Sequence, residues 1–134
     1  MPVANGLNPT FDTVTTATQT VTADAVSGAT IRAGVNKVVV SGVTNDANDW
    51  IVLSPIADVP LGHKITILCN AGSNFEMRTP ASSNTKINDV DADGSQEYLC
   101  TDTHHIEVTK RTTTGWTAVS YTKLGAVVTA VIPD

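Results

Sequence analysis

The residues in this chain best placed to do chemistry are Asp89, Asp91 and Asp93, which alternate through Asp-Val-Asp-Ala-Asp and are followed by Gly94. Hard oxygen ligands at the first, third and fifth positions of a curling loop converge on one cation, and glycine permits the sharp turn, so the run matches the opening of a calcium loop. Glu97 stands at the ninth position. The twelfth, where a bidentate glutamate would close the coordination sphere, is Cys100, and no helices flank the run. Two readings stand side by side: a solvated acidic turn, whose like charges are screened by water, and a weak calcium site of Asp89, Asp91, Asp93 and Glu97 that borrows ligands from a neighbouring loop.

Other reactive residue types are scattered. His104 and His105 are adjacent, and adjacent residues of a strand face opposite sides, so they do not share one ion in regular structure. Together with His63 they read as surface or interface histidines. No serine lies in a G-x-S-x-G elbow, and no cysteine or serine has a recognisable base and orienter beside it. No glycine-rich phosphate loop occurs. An enzyme is not expected. Cys69 and Cys100 are the two cysteines; they read first as small core hydrophobes, with a single disulfide as the alternative, and there is no third cysteine to build a zinc site.

The elements that position these residues are read from composition and spacing. A chain of 134 residues fits one domain, large enough to bury a core without staples. Thr and Val supply roughly a quarter of it; both branch at Cβ and favour the pleated strand. Charged residues make up 16% and the formal net charge is −5. Apart from Lys110-Arg111 there is no basic patch, which disfavours a nucleic-acid partner. The apolar runs are too short to span a bilayer, so no membrane partner is expected. The first residues, MPVANGLNPT, lack a charged n-region and an apolar h-region, so no secretory signal is expected.

Short strands separated by turn residues run through the chain: Thr18–Thr22, Val35–Val43, Trp50–Leu53, Lys64–Asn70, Phe75–Arg78, Gln96–Thr101, Ile106–Lys110, Trp116–Thr122 and Ala126–Ile132. In Lys64–Asn70 the residues Ile65, Ile67 and Cys69 share one face. Turns of Gly, Asn, Asp, Ser and Thr lie between them. Only Thr22–Ala33 competes as a short helix, with Asp24 as its cap and Gly28 interrupting it. The expected architecture is a single all-β domain, a β-sandwich or barrel-like fold of about nine short antiparallel strands over residues 18–134, preceded by an arm over residues 1–17. No internal repeat is visible. Most aromatics lie in strands and read as packing residues, with Trp116, after a threonine turn and Gly115, the one expected to be partly exposed. The uncharged run AVVTAVI near the end of the sequence is either an inner strand or an edge that another chain covers, which argues for a symmetric oligomer.

With strands and turns in place, the stretch from Gln19 to Tyr121 resembles the small virion proteins of tailed bacteriophages. The shared pattern comprises the opening strand QTVTADAV, the strand ending in proline IVLSP, the glycine-turned GHKITILCNAGSN, the loop TKIND and the late aromatic strand GWTAVSY. Capsid decoration (cement) proteins and the knob modules of phage fibres are similar to it. The resemblance implies a homotrimer on the exterior of the virion, assembled in the host cytoplasm, that bridges subunits of the major capsid protein and stabilises the expanded shell. It implies no catalytic residue and no required cofactor. The arm, with Pro2, Val3, Asn5, Leu7 and Phe11, would then contact the capsid. The alternative within the same resemblance is a fibre or receptor-binding module, in which loop Asp89–Glu97, with calcium and Trp116, recognises a host surface glycan.

Overall fold

A computed structural model of the chain describes residues 17–26 and 29–134. The proposed capsid contacts Pro2, Val3, Asn5, Leu7 and Phe11 lie outside the described residues. Among the described residues eleven strands are found: β1 (Thr18–Ala23), β2 (Ala29–Thr30), β3 (Lys37–Val43), β4 (Trp50–Val52), β5 (Lys64–Cys69), β6 (Phe75–Arg78), β7 (Lys86–Ile87), β8 (Val90–Asp91), β9 (Tyr98–Cys100), β10 (His105–Lys110) and β11 (Gly115–Tyr121). The only helical piece among the described residues is one 3-10 turn, Ile56–Asp58. No helix forms in the described part of 22–33: β1 ends at Ala23, where Asp24 Oδ1 accepts from the Val26 amide at 2.6 Å.

The strands form two sheets, ordered β1-β3-β5-β10-β11-β7-β8 and β2-β4-β6-β9. The all-β expectation is met, but the expectation of antiparallel strands is corrected. β1, β3 and β5 run parallel to one another in the large sheet, as β2, β4 and β6 do in the small one. Up to β6 the chain alternates between sheets, laying one strand on each before stepping on, so three two-strand rungs stack side by side. No sequence repeat announces this, because the partners that pair lie some twenty to thirty residues apart at unequal steps. After β6 the style changes. β10 returns antiparallel to β5, β11 forms a hairpin with β10, and β9 closes the small sheet antiparallel to β6.

Alternation puts one face of each sheet inward. Val38 and Val40 of β3, Ile65, Ile67 and Cys69 of β5, and Ile106 and Val108 of β10 are fully buried, and they share one core with Ile51, Phe75, Met77, Tyr98 and Cys100 of the small sheet. Each of the larger aliphatic side chains removed from water in this way contributes on the order of 2 kcal/mol before entropy is counted. The sheets are also tied by one buried polar pair, the Tyr98 hydroxyl and Ser120 Oγ, 2.7 Å apart. Tyr98→Phe is expected to cost about 1 kcal/mol, since it strands the serine hydroxyl. In a double-mutant cycle with Ser120→Ala, measured by urea unfolding, most of that cost should disappear.

The C-terminal run does not form the expected strand. Residues 126–132 are joined to β11 by one isolated bridge, Tyr121 to Val127, and by the Val128 amide donating to the Ser120 carbonyl at 2.9 Å. The reason is that the edge of β11 is already shared. β7 takes Gly115 and Trp116. Asn88, in the left-handed region at φ 51°, then uses its side-chain amide in place of a peptide unit. Its Nδ2 donates to the carbonyls of Ala118 (3.2 Å) and Val131 (2.8 Å), and its Oδ1 accepts from the Ala118 amide (2.9 Å).

Candidate binding surface

The acidic run Asp89–Gly94 is not gathered around a common point. Asp89 pairs with the Arg111 guanidinium at 2.8 Å, Asp93 Oδ2 accepts from the Asn84 amide, and Glu97 pairs with Arg78. Asp91 lies on β8, exposed. Three of the four carboxylates are thus turned to three different protein donors. Among the described residues no group of three or more His, Cys, Asp or Glu side chains is placed to hold a metal ion. The four candidate calcium ligands Asp89, Asp91, Asp93 and Glu97 are therefore not brought to one point in this arrangement. The histidines are separate as well. His63 Nε2 lies 3.1 Å from the Val35 carbonyl, His105 stacks on Tyr121 with ring centroids 4.9 Å apart, and His104 contributes its backbone carbonyl to the Cys69 amide.

Trp116 corrects a second expectation. It is fully buried, not partly exposed. Its strand partner is Lys110, whose side chain also points inward, so the parity of the hairpin sends the indole into the core.

The groove that does form lies on the outer face of the small sheet. In β6 the buried Phe75 and Met77 alternate with the half-buried Glu76 and Arg78, and in β4 Trp50 faces outward opposite Glu76. With the loop 45–49 and Glu97 these side chains line an open groove of about 510 Å³. The Arg78 guanidinium carbon sits 3.6 Å from the centre of the Trp50 ring, a cation–π contact that also pins the arginine for its ion pair with Glu97. Asp49 is buried below the rim and accepts from the Asn45 amide at 2.7 Å, which holds the loop closed.

The groove is electrostatically lopsided. Asp46, Asp49, Glu76 and Glu97 line it with a single cation, Arg78. Burial, then the Glu97 carboxylate, hold the Glu76 carboxyl above its ordinary range, while Arg78 pulls it the other way. A carboxyl whose pKa is raised on folding favours the folded state below its unfolded pKa, and that contribution is lost as pH rises through the folded value. Glu76→Gln is therefore expected to raise the melting temperature at pH 7 and to leave it unchanged near pH 4. Thermal unfolding at the two pH values checks this, and an equal effect at both would show that the charge is not the cause.

A second surface is apolar. Leu124 is 89% exposed, Val127 68% and Ile132 66%, and residues 124–132 contain no charged side chain. Half of the large hydrophobic residues exposed in the described chain thus lie on one short segment along the edge of β11. This run stands out in the sequence for its lack of charge, whereas the groove does not, since its residues come from four separate parts of the chain. No family model matches the chain, and no curated protein or solved structure is significantly similar to it.

Proposed function

We propose that this protein is a structural component of a larger assembly: a capsid decoration protein of a tailed bacteriophage that binds the exterior of the mature head as a trimer. The phage assignment rests on the resemblance of Gln19–Tyr121 to that class. The observation that carries the assembling role is the exposed, uncharged segment 124–132, with Leu124, Val127 and Ile132 turned to water. Large apolar side chains exposed so close together along the chain fit a face that another chain covers, and a closed ring of identical copies would cover it without leaving a sticky remainder. On a capsid the same trimer would bridge subunits of the major capsid protein and stabilise the expanded shell by mass action. The glycan-binding alternative has less to stand on, because Trp116 is buried and three of its loop carboxylates are engaged by protein groups.

Sedimentation velocity and native mass spectrometry of the purified chain test the assembling role. A trimer is expected, and Val127→Asp with Leu124→Asp should reduce it to monomers that melt through a single cooperative transition. A wild-type chain that stays monomeric at high micromolar concentration would overturn the reading. Attachment is then tested by co-sedimentation with expanded phage heads stripped of their own decoration protein.

A further inference from the structure

Cys69 ends β5 on the large sheet and Cys100 ends β9 on the small sheet. Both are free and fully buried. The backbone brings them together. The Cys69 amide donates to the His104 carbonyl at 3.0 Å, and the Cys69 carbonyl accepts from the Thr103 amide at 2.6 Å. Thr103 follows Cys100 by three residues, and the intervening turn is closed by the His104 amide on the Thr101 carbonyl at 3.2 Å. The turn after Cys100 is thus paired with the Cys69 backbone, and both side chains are buried in the one core between the sheets, the Cys100 thiol facing the Tyr98 carbonyl at 3.6 Å.

We propose that Cys69 and Cys100 form an oxidative modification site, a dithiol that closes into a disulfide joining the two sheets when the protein meets a low-molecular-weight disulfide. Access comes through β9. It has three residues, among the described residues it lies at the edge of the small sheet and pairs only with β6, and its middle residue Leu99 is 44% exposed. A short edge strand with one neighbour opens locally at lower cost than the sheets behind it. While it is buried, Cys100 is held well above the ordinary thiol range, by loss of water first and then by Cys69, so the closed form is inert.

When β9 opens, the Cys100 thiolate attacks one sulfur of the small disulfide. A mixed disulfide forms and one thiolate leaves. On reclosing, the Cys69 thiolate attacks the Cys100 sulfur and expels the second thiolate. Two protein thiols are oxidised, one small disulfide is reduced to two thiols, and the two protons end on those products. The bridge closes the loop between residues 69 and 100 and limits the freedom of the unfolded chain.

The test incubates the folded chain with oxidised glutathione at pH 8 and follows intact mass. Amide exchange at Leu99 and Cys100 serves as the clock for strand opening. The wild type is expected to become lighter by two hydrogens, to carry no glutathione, to resist alkylation after denaturation, and to melt on the order of 10 °C higher. A reducing agent should reverse all four changes. Cys69→Ala should stop at a single glutathione adduct on Cys100 with no gain in melting temperature. If that variant does not fold, the cross-linked peptide containing Cys69 and Cys100 in a digest of the oxidised wild type decides the matter. Three results would overturn the proposal: both thiols still open to alkylation after many opening lifetimes, glutathione on each cysteine, or chains linked to one another.

Discussion

Lys110→Met is expected to destabilise the protein by about 4 kcal/mol, because two buried carbonyls lose their donor while the space is still filled. The lysine ends β10 and is only 8% exposed. Its Nζ donates to the carbonyls of Ile56 and Val59, each at 2.7 Å. These oxygens belong to the 3-10 turn and its exit, in the connection that carries the chain from β4 in the small sheet to β5 in the large one. The same connection is held by the Gly62 amide on the Lys110 carbonyl and the Lys110 amide on the His63 carbonyl. The side chain therefore finishes a polar seam that the backbone begins. Methionine keeps the apolar stem and removes the charge, which separates the seam from packing. Urea unfolding followed by tryptophan fluorescence is the measurement. A loss below about 1 kcal/mol would mean that water reaches both carbonyls.

Trp116→Ala should cost a similar amount, about 4 kcal/mol, for the opposite reason: the loss is nearly all volume. The indole is fully buried, and its Nε1 finds no hydrogen-bond partner among the described residues. An unpartnered buried N–H is itself a cost. Trp116→Phe, which removes the orphan donor and part of the volume together, is then expected to lose only about 1 kcal/mol. The contrast between the two substitutions is the informative result. Equal losses would show that the N–H is satisfied by water and that the indole contributes through a bond as well as through its bulk.

Much of the fold was legible because alternation is a local property. Ile65, Ile67 and Cys69 do share the buried face of β5, and the long strands begin and end within two residues of where their patterns place them. Pairing direction was not legible, since the pattern of a strand buried on one face is the same beside a parallel neighbour or an antiparallel one. The run 126–132 shows the limit of reading apolarity alone: it has strand composition, but β7 and the Asn88 side chain already occupy most of the edge it would need.

The candidate site divides in the same way. The motif at Asp89–Gly94 is contiguous and easily seen, yet Arg111 holds Asp89 and the Asn84 amide holds Asp93, while Arg78 engages Glu97 beyond it. The groove had a weaker signal that was present all along. Glu76 and Arg78 alternate with Phe75 and Met77, so their outward parity is readable. Nothing local told that Trp50 would stand beside them.

The order in which the strands sit in the large sheet has a consequence for how the protein is made. β10 lies between β5 and β11, at the centre of that sheet, but it is among the last strands to be synthesised. β3 gains its second neighbour only when β5 has been made, and β5 waits for β10. A nascent chain therefore carries an unsatisfied edge on β5 until β10 has been made. Pairings between residues so far apart are slow to find. The interval in which β3 and β5 lack their partners is expected to be aggregation-prone, and a chaperone that shields these strands should raise the yield of folded protein.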